Sequence, residues 1–305
     1  MDALAGLLDG PRARDAFLLR ALLEPPWSIR VQDEAPLSIT IMLRGESWIL
    51  PDDADPVRLA TGGVAITRGP DPFTFADSPA TPPQIVIDPG QHCRTPDGRE
   101  LSGELGLGLR TWGTAAEGSV AMLIGTYQLD SEISSRLLRS LPSLVVLPEV
   151  STPLVPLLDE ELSRDEPGQE VVLDRLLDLV LIAVLRQWFS AQDDRWYLAF
   201  GDPVVGLALR LLHHDPAHPW TVAALATRVG VSRATLARAF TDLVGEPPMT
   251  YLTGWRLTLA ADLLREPGAT IGSVARRVGY GSPFALSAAF KRVRGVSPQE
   301  YRSRA

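Results

Sequence analysis

The chain has 305 residues, 45% hydrophobic and 22% charged, an ordinary globular balance with length enough for two separately cored domains. Its single cysteine excludes an intramolecular disulfide, no apolar run is long enough to span a membrane, and MDALAGLLDGPRARD lacks the form of a secretion signal, so a cytoplasmic location is expected. The net charge of −8 hides an asymmetry: residues 201–305 carry 13 Lys/Arg against 7 Asp/Glu (net +6) and residues 1–200 carry 16 against 30 (net −14), so only the C-terminal end welcomes a polyanion.

Residues 26–129 alternate and are punctuated by Gly and Pro. Strands are expected at Trp27–Val31, Leu37–Leu43, Ser47–Leu50, Gly63–Ile66, Gln84–Ile87, Gly108–Trp112 and Ala121–Leu129. So many short strands point to a sandwich or barrel. Trp27, Trp48, Phe73, Phe75 and Trp112 are the candidates to line a small-molecule pocket, although aromatics at strand spacing also serve as plain core. His92 and Cys93 fall in an expected loop, where they either contribute to a metal or redox site or hold ordinary structural and surface positions. A metal-dependent barrel enzyme would need two or three histidines with a carboxylate. Three of the chain's four histidines (His213, His214 and His218) lie beyond Gly201, where they flank a helix end and suit a dipole contact or a surface position. No cofactor is expected.

Ser131–Leu141, Pro153–Ser163 and Glu170–Phe189 read as helices. In the last of them Val171, Val172, Leu176, Leu177, Val180, Ala183 and Val184 form an apolar stripe. Either a partner helix covers it in a homodimer, or the chain's own barrel does.

In the C-terminal third a pattern occurs twice. Thr221 caps a helix with apolar residues at Val222, Leu225, Ala226 and Val229, ended by Gly230; 49 residues later Thr270 precedes Ile271, Val274, Ala275, Val278 and Gly279. A second helix follows each glycine. One has Ser232, Leu236, Ala239, Phe240 and Leu243; the other has Ser282, Pro283, Leu286, Ala289, Phe290 and Val293 at an offset of 50. Gly245 and Gly295 close them. Short helix, tight turn, second helix is the helix-turn-helix pattern. Pro248–Arg265 reads as one long helix between the units, with Leu252, Trp255, Leu259 and Leu263 available for packing. Such a rod would fix the spacing of two elements that meet successive major-groove faces, which recur about every 34 Å.

With about 100° per residue and Leu236 facing the core, Arg238 points away from the domain. It is the prime candidate to contact a base, because a guanidinium forms a bidentate fork with guanine. Arg233, at the helix start, can reach base or phosphate. On the second recognition helix Phe284, Ala288, Lys291 and Arg292 face outward. Phe284 either touches a thymine methyl or packs on its own domain. Thr221, Ser232, Thr241, Thr270, Ser282, Lys291, Arg292 and Arg294 are candidates for phosphate contact.

The stretch Ile271-x2-Val274-Ala275-x2-Val278-Gly279-Tyr280-x-Ser282-x3-Leu286-x3-Phe290-Lys291-Arg292-x2-Gly295-x-Ser297-Pro298-x2-Tyr301-Arg302 resembles the DNA-binding domain of AraC/XylS-type transcription regulators. The resemblance covers about 100 residues and implies a domain with two recognition helices in adjacent major-groove segments. Members often have polar residues where Phe284 and Ala288 stand. Gly125-Thr126-Tyr127-x-Leu129-Asp130 and Leu141-Pro142-x3-Val146-Leu147-Pro148 resemble the branch with a cupin-like sensor barrel, some of whose members sense oxidants through cysteines.

The expected fold is α+β in two domains. A cupin-like sensor or ligand domain occupies 1–150, a helical dimerisation or linker region 151–200, and an all-α DNA-binding domain 201–305, with helix-turn-helix units at 221–243 and 270–293. The expected function is sequence-specific transcription regulation in response to a small molecule or redox signal. The expected partners are double-stranded DNA, an effector and a second copy of the chain, with no membrane. The alternative is a metal-dependent cupin enzyme fused to a DNA-binding module.

Overall fold

The structure, a computed structural model, describes residues 17–101, 103–127, 141–191 and 195–304. The described residues up to Trp188 form one compact unit and those from Phe189 onward form another.

The N-terminal unit is built on two sheets. The first contains β1 (Phe17–Leu23), β3 (Leu37–Arg44), β6 (Val64–Arg68), β10 (Gly106–Gly108), β11 (Thr111–Gly113), β12 (Val120–Tyr127) and β13 (Leu144–Leu147), in the order β10-β11-β1-β12-β3-β6-β13. The second contains β2 (Ser28–Val31), β4 (Glu46–Pro51), β5 (Val57–Ala60), β7 (Phe73–Ala76), β8 (Ile85–Asp88) and β9 (His92–Arg94), in the order β5-β4-β7-β2-β8-β9. The chain passes back and forth between the sheets, and the core lies between them: Leu19, Ala21, Leu23, Met42 and Met122 from one meet Ile29, Ile49, Phe75 and Ile85 from the other. The expected barrel is thus an open sandwich of two sheets.

Period-two alternation explains what each strand does. In β1, Leu19, Ala21 and Leu23 point into the core, and Arg20 points outward to a helix, α1 (Leu154–Leu162), where its Nε donates to Asp159 at 2.8 Å. β12 is covered on both faces, which is why it reads as a nearly continuous apolar run. Its Gly125 leaves room for Leu177 of the next helix, α2 (Gln169–Ala191): a Cβ at that glycine would stand 2.8 Å from the leucine side chain. Nearby, the buried Tyr127 hydroxyl donates to the Leu177 carbonyl at 3.1 Å.

Several expectations need correction. His92 and Cys93 lie in a strand, β9, paired with β8, and not in a loop. The strand expected over 108–112 is broken at Arg110, whose φ is +46°, into β10 and β11. Strands β1, β5, β7 and β13 lie outside the expected set: three have only four residues each, and the fourth, FLLRALL, is apolar on both faces. The stripe on α2 offered for a partner helix is largely used within the chain: Leu176, Leu177, Val180 and Val184 are buried, and Val171, Val172 and Leu179 are the exposed apolar residues. The helix expected over 131–141 lies, apart from Leu141, outside the described residues.

The C-terminal unit is helical: α3 (Arg195–Gly201), α4 (Val205–His214), α5 (Val222–Val229), α6 (Arg233–Val244), α7 (Pro248–Arg265), α8 (Ile271–Arg277), α9 (Pro283–Arg294) and α10 (Pro298–Arg304). The four expected N-caps are all present. The Thr221, Ser232 and Ser282 hydroxyls accept from the third residue of their helices at 3.1, 3.1 and 3.2 Å, and Thr270 forms a reciprocal capping box with Ser273. Each is worth about 1 kcal/mol. The rod α7 is buried on more of its circumference than the expected stripe. Besides Leu252 and Trp255, it buries Tyr251, Leu257, Ala260, Ala261 and Leu264, while Leu259 and Leu263 are partly covered beside the second unit's core.

Candidate nucleic-acid interface and sensor cavity

In the first helix-turn-helix unit Leu225 and Ala226 of α5 and Leu236 and Phe240 of α6 are buried. Phe240 meets Tyr251 of α7 edge-on at 5.7 Å between ring centroids. The second unit repeats this with Phe290 and Tyr301 at 5.4 Å. The two tyrosines, and Pro248 with Pro298 at the starts of their helices, are 50 residues apart, so the repeat extends to a third helix. That extension was legible as a continuing offset.

The outward face of α6 carries Ala234, Thr235, Arg238 and Thr241, all exposed, with Arg233 exposed at its first turn. On α9 the matching positions are Phe284, Ala285, Ala288 and Lys291, also exposed. Phe284 is 86% exposed, so it does not pack on its own domain. Arg292 is exposed. Arg294 is half-buried, with its guanidinium over the rings of Phe290 and Tyr301, at 5.8 and 6.0 Å. Thr221, Ser232 and Thr270 are exposed, and Ser282 is half-buried at the start of α9.

His213 stands in the last turn of α4, at the helix end expected for it, but not on the surface. It is half-buried, stacked on Trp255 at 4.2 Å, with Nε2 2.7 Å from the Tyr251 hydroxyl. His214 and His218 are exposed. The segment before α5 is held by Arg256, whose guanidinium donates to the Pro216 and His218 carbonyls at 2.6 and 2.8 Å.

In the N-terminal unit a cavity of about 140 Å³ lies between the sheets. Phe73, Phe75, Trp112 and Cys93 line it, together with Phe17, Leu19, Ile29, Val31, Ile87, Met122 and Ile124. Its polar lining is Ser38, Thr40 and Thr126 in the first sheet, and Asp33 and Gln91, which are joined by a 2.7 Å hydrogen bond from Gln91 Nε2. Trp27 and Trp48 are not among its walls. Trp27 is fully buried in the core, and Trp48 lies on the opposite face of β4 from the core residue Ile49.

Cys93 is buried and faces the cavity; its neighbour His92 is exposed. Adjacent strand residues point to opposite faces, so the two side chains cannot converge on one ion. Among the described residues no group of three or more His, Cys, Asp or Glu could hold a metal. Burial pushes the Cys93 thiol up from its ordinary range, against a smaller opposing contribution from Trp112. No helix among the described residues is long and apolar enough to cross a membrane.

A two-sheet sandwich with a cavity between its sheets, followed by a capped tandem of helix-turn-helix units, defines a two-domain protein with a C-terminal DNA-binding domain. Comparison with known proteins agrees: the cupin family model matches residues 2–190 and a helix-turn-helix domain model matches residues 225–304. The chain belongs to the AraC-type transcription regulators. It is 33% identical to an AraC-like transcription regulator of Streptomyces lividans, over 99% of this chain and 98% of that one. It is also 28% identical to the HTH-type transcriptional regulator AlkR of Acinetobacter baylyi, over 99% of each. A solved AraC-type regulator from Chromobacterium violaceum is 28% identical, covers 34% of this chain and 94% of its own, and has a TM-score of 0.33. Both full-length relatives are named as regulators, and the reading as a metal-dependent enzyme is set aside.

Proposed function

We propose that this regulator takes a small, mainly apolar molecule into the cavity between its sheets, and that occupancy alters how the C-terminal domain grips an operator. The cavity carries the reading. Its 140 Å³ is comparable with spaces that accept a benzene-sized guest. No Lys, Arg or His is among its lining residues, and Asp33 is, so the chemistry favours a neutral or cationic ligand over an anion. Cys93 acts as a wall and not as an oxidant sensor, because its reactive form is the thiolate, which burial disfavours.

A route for the signal is built into β12. Met122, Ile124 and Thr126 face the cavity, while Gly125 and Tyr127 touch α2 at Leu177. Displacing the strand displaces the helix. We assign sensing to 1–150, dimerisation or linking to 151–200 and DNA binding to 201–305, in a cytoplasmic homodimer. The exposed Val171, Val172 and Leu179 supply apolar surface for the second copy. On the DNA, Arg233, Arg238 and Phe284 meet bases. Thr221, Ser232, Thr241, Thr270, Ser282, Lys291, Arg292 and Arg294 meet phosphates.

Anisotropy of the full chain on genomic duplexes that it retains tests this. With about six phosphates neutralised by Lys and Arg, log affinity should fall against log salt with a slope near −5; a flat response overturns DNA binding. Benzene, cyclohexane and indole serve as effector probes. At least one should shift the affinity for DNA, and Ile124→Trp, which fills the cavity, should abolish that shift. A shift that survives the substitution places the effector elsewhere, and no shift with any probe overturns the proposed ligand class.

A further inference from the structure

We infer that the two recognition helices read DNA by different chemistry, and that Phe284 is a specificity residue selecting a thymine through its 5-methyl group. The inference rests on the DNA-binding reading above and adds a base identity to it.

The first observation is the placement of Phe284. Ser282 caps α9 by accepting from Ala285 N at 3.2 Å, and Pro283 occupies the first helical position, so the first turn is rigidly set. Phe284 follows directly and is the most exposed large apolar side chain among the described residues. It belongs neither to the core of its own unit nor to any described ring pair. In helix-turn-helix docking the N-terminal residues of the second helix are the ones that meet base edges.

The second observation is what surrounds it. Along the same face Ala285 and Ala288 are exposed, Ser287 is half-buried, and the first exposed side chain able to donate a hydrogen bond is Lys291, two turns further on. At the corresponding positions α6 has Ala234, Thr235, Arg238 and Thr241. The first unit therefore has a guanidinium for a guanine edge, and the second has an apolar surface flanked by cations. In the major groove the thymine methyl is the base feature that an apolar surface can select. The small side chains of Ala285 and Ala288 allow the helix to approach closely enough for the phenyl ring to cover it. Lys291 and Arg292 supply the positive charge that brings a polyanion to this face.

The test uses the full chain and a duplex selected by it from a randomised library. Each thymine is replaced in turn by deoxyuridine, which removes the 5-methyl and leaves pairing unchanged. One replacement should weaken wild-type binding about three- to fivefold, the effect of one buried methyl. Phe284→Ala should weaken binding to the thymine duplex by a similar factor and lose the sensitivity at that position, while Phe284→Leu should keep part of it. Because the side chain lies in solvent, neither variant threatens folding. If Phe284→Ala weakens binding while every uracil duplex behaves like its parent, the ring packs on sugar or backbone and the inference fails with DNA binding intact. If Phe284→Ala retains the wild-type uracil response, another residue reads the methyl. If no duplex is enriched, the DNA-binding reading falls and this one with it.

Discussion

In the first helix-turn-helix unit the turn glycine, Gly230, has φ of +76° and open space where a Cβ would go; in the second, Gly279 has φ of +82°, and a Cβ there would stand 2.7 Å from the backbone of Ala217. The two occupy the same place in the repeat. One is glycine for a local reason, the left-handed turn. The other also admits a neighbouring segment, the stretch around Ala217 that Arg256 clamps through Pro216 and His218. The reading faces diverge in a similar way, with Arg238 on one helix and Ala288 at the matching position of the other. Repeats keep what the skeleton needs, namely caps, turns and a buried phenylalanine. They are free to differ wherever a side chain meets solvent or a partner.

Substitution of the two turn glycines should have the largest effect. Gly230→Ala should cost about 1–2 kcal/mol, the penalty of a left-handed alanine. Gly279→Ala should cost a further 1–3 kcal/mol or so, because backbone must move to admit the methyl. Urea unfolding of both variants measures the difference, and equal losses would mean that the approach of Ala217 does not matter.

Substitutions on the reading faces should have smaller effects. Arg238→Ala should remove roughly 1–3 kcal/mol of discrimination at one base pair. Lys291→Ala should lower affinity equally on all sequences and reduce the salt slope by about one unit. Binding of both variants to a panel of single-site operator mutants distinguishes the two patterns. Operator binding like wild type by both would show that these faces are not the ones used.

The smallest effect lies in the N-terminal unit. Since burial raises the Cys93 thiol, the unfolded chain loses that proton first, and the contribution of this group to stability is lost as pH rises through the folded-state pKa. For the same reason native Cys93 should react with iodoacetamide more slowly than in urea at pH 8, with the gap narrowing as pH rises. Equal rates at pH 8 would show an open thiol and no enclosed wall.

Much of the C-terminal domain was legible because its signals are local. Caps at Thr221, Ser232, Thr270 and Ser282, glycines that end helices and prolines that begin them act within one or two turns. The long helix over 248–265 has the bounds its pattern implies. The tyrosine pair, Tyr251 and Tyr301, stands at the same offset and is an equally local signal. In the N-terminal unit alternation marked many strands, but alternation states only that a strand has two faces, not which of them is covered or by what.

From sequence alone came the α+β division, the tandem of helix-turn-helix units and the split in charge, all properties of neighbouring residues and of sums. Tertiary structure decided that Cys93 faces a cavity and His92 faces solvent, that Phe73, Phe75 and Trp112 line that cavity and Trp27 does not, and that the stripe on α2 is largely buried. It also decided that His213 stacks on Trp255 and that Gly279 admits Ala217. These are contacts between residues distant in the chain. Their energies arise only when the elements pack, so no spacing within a single element can announce them.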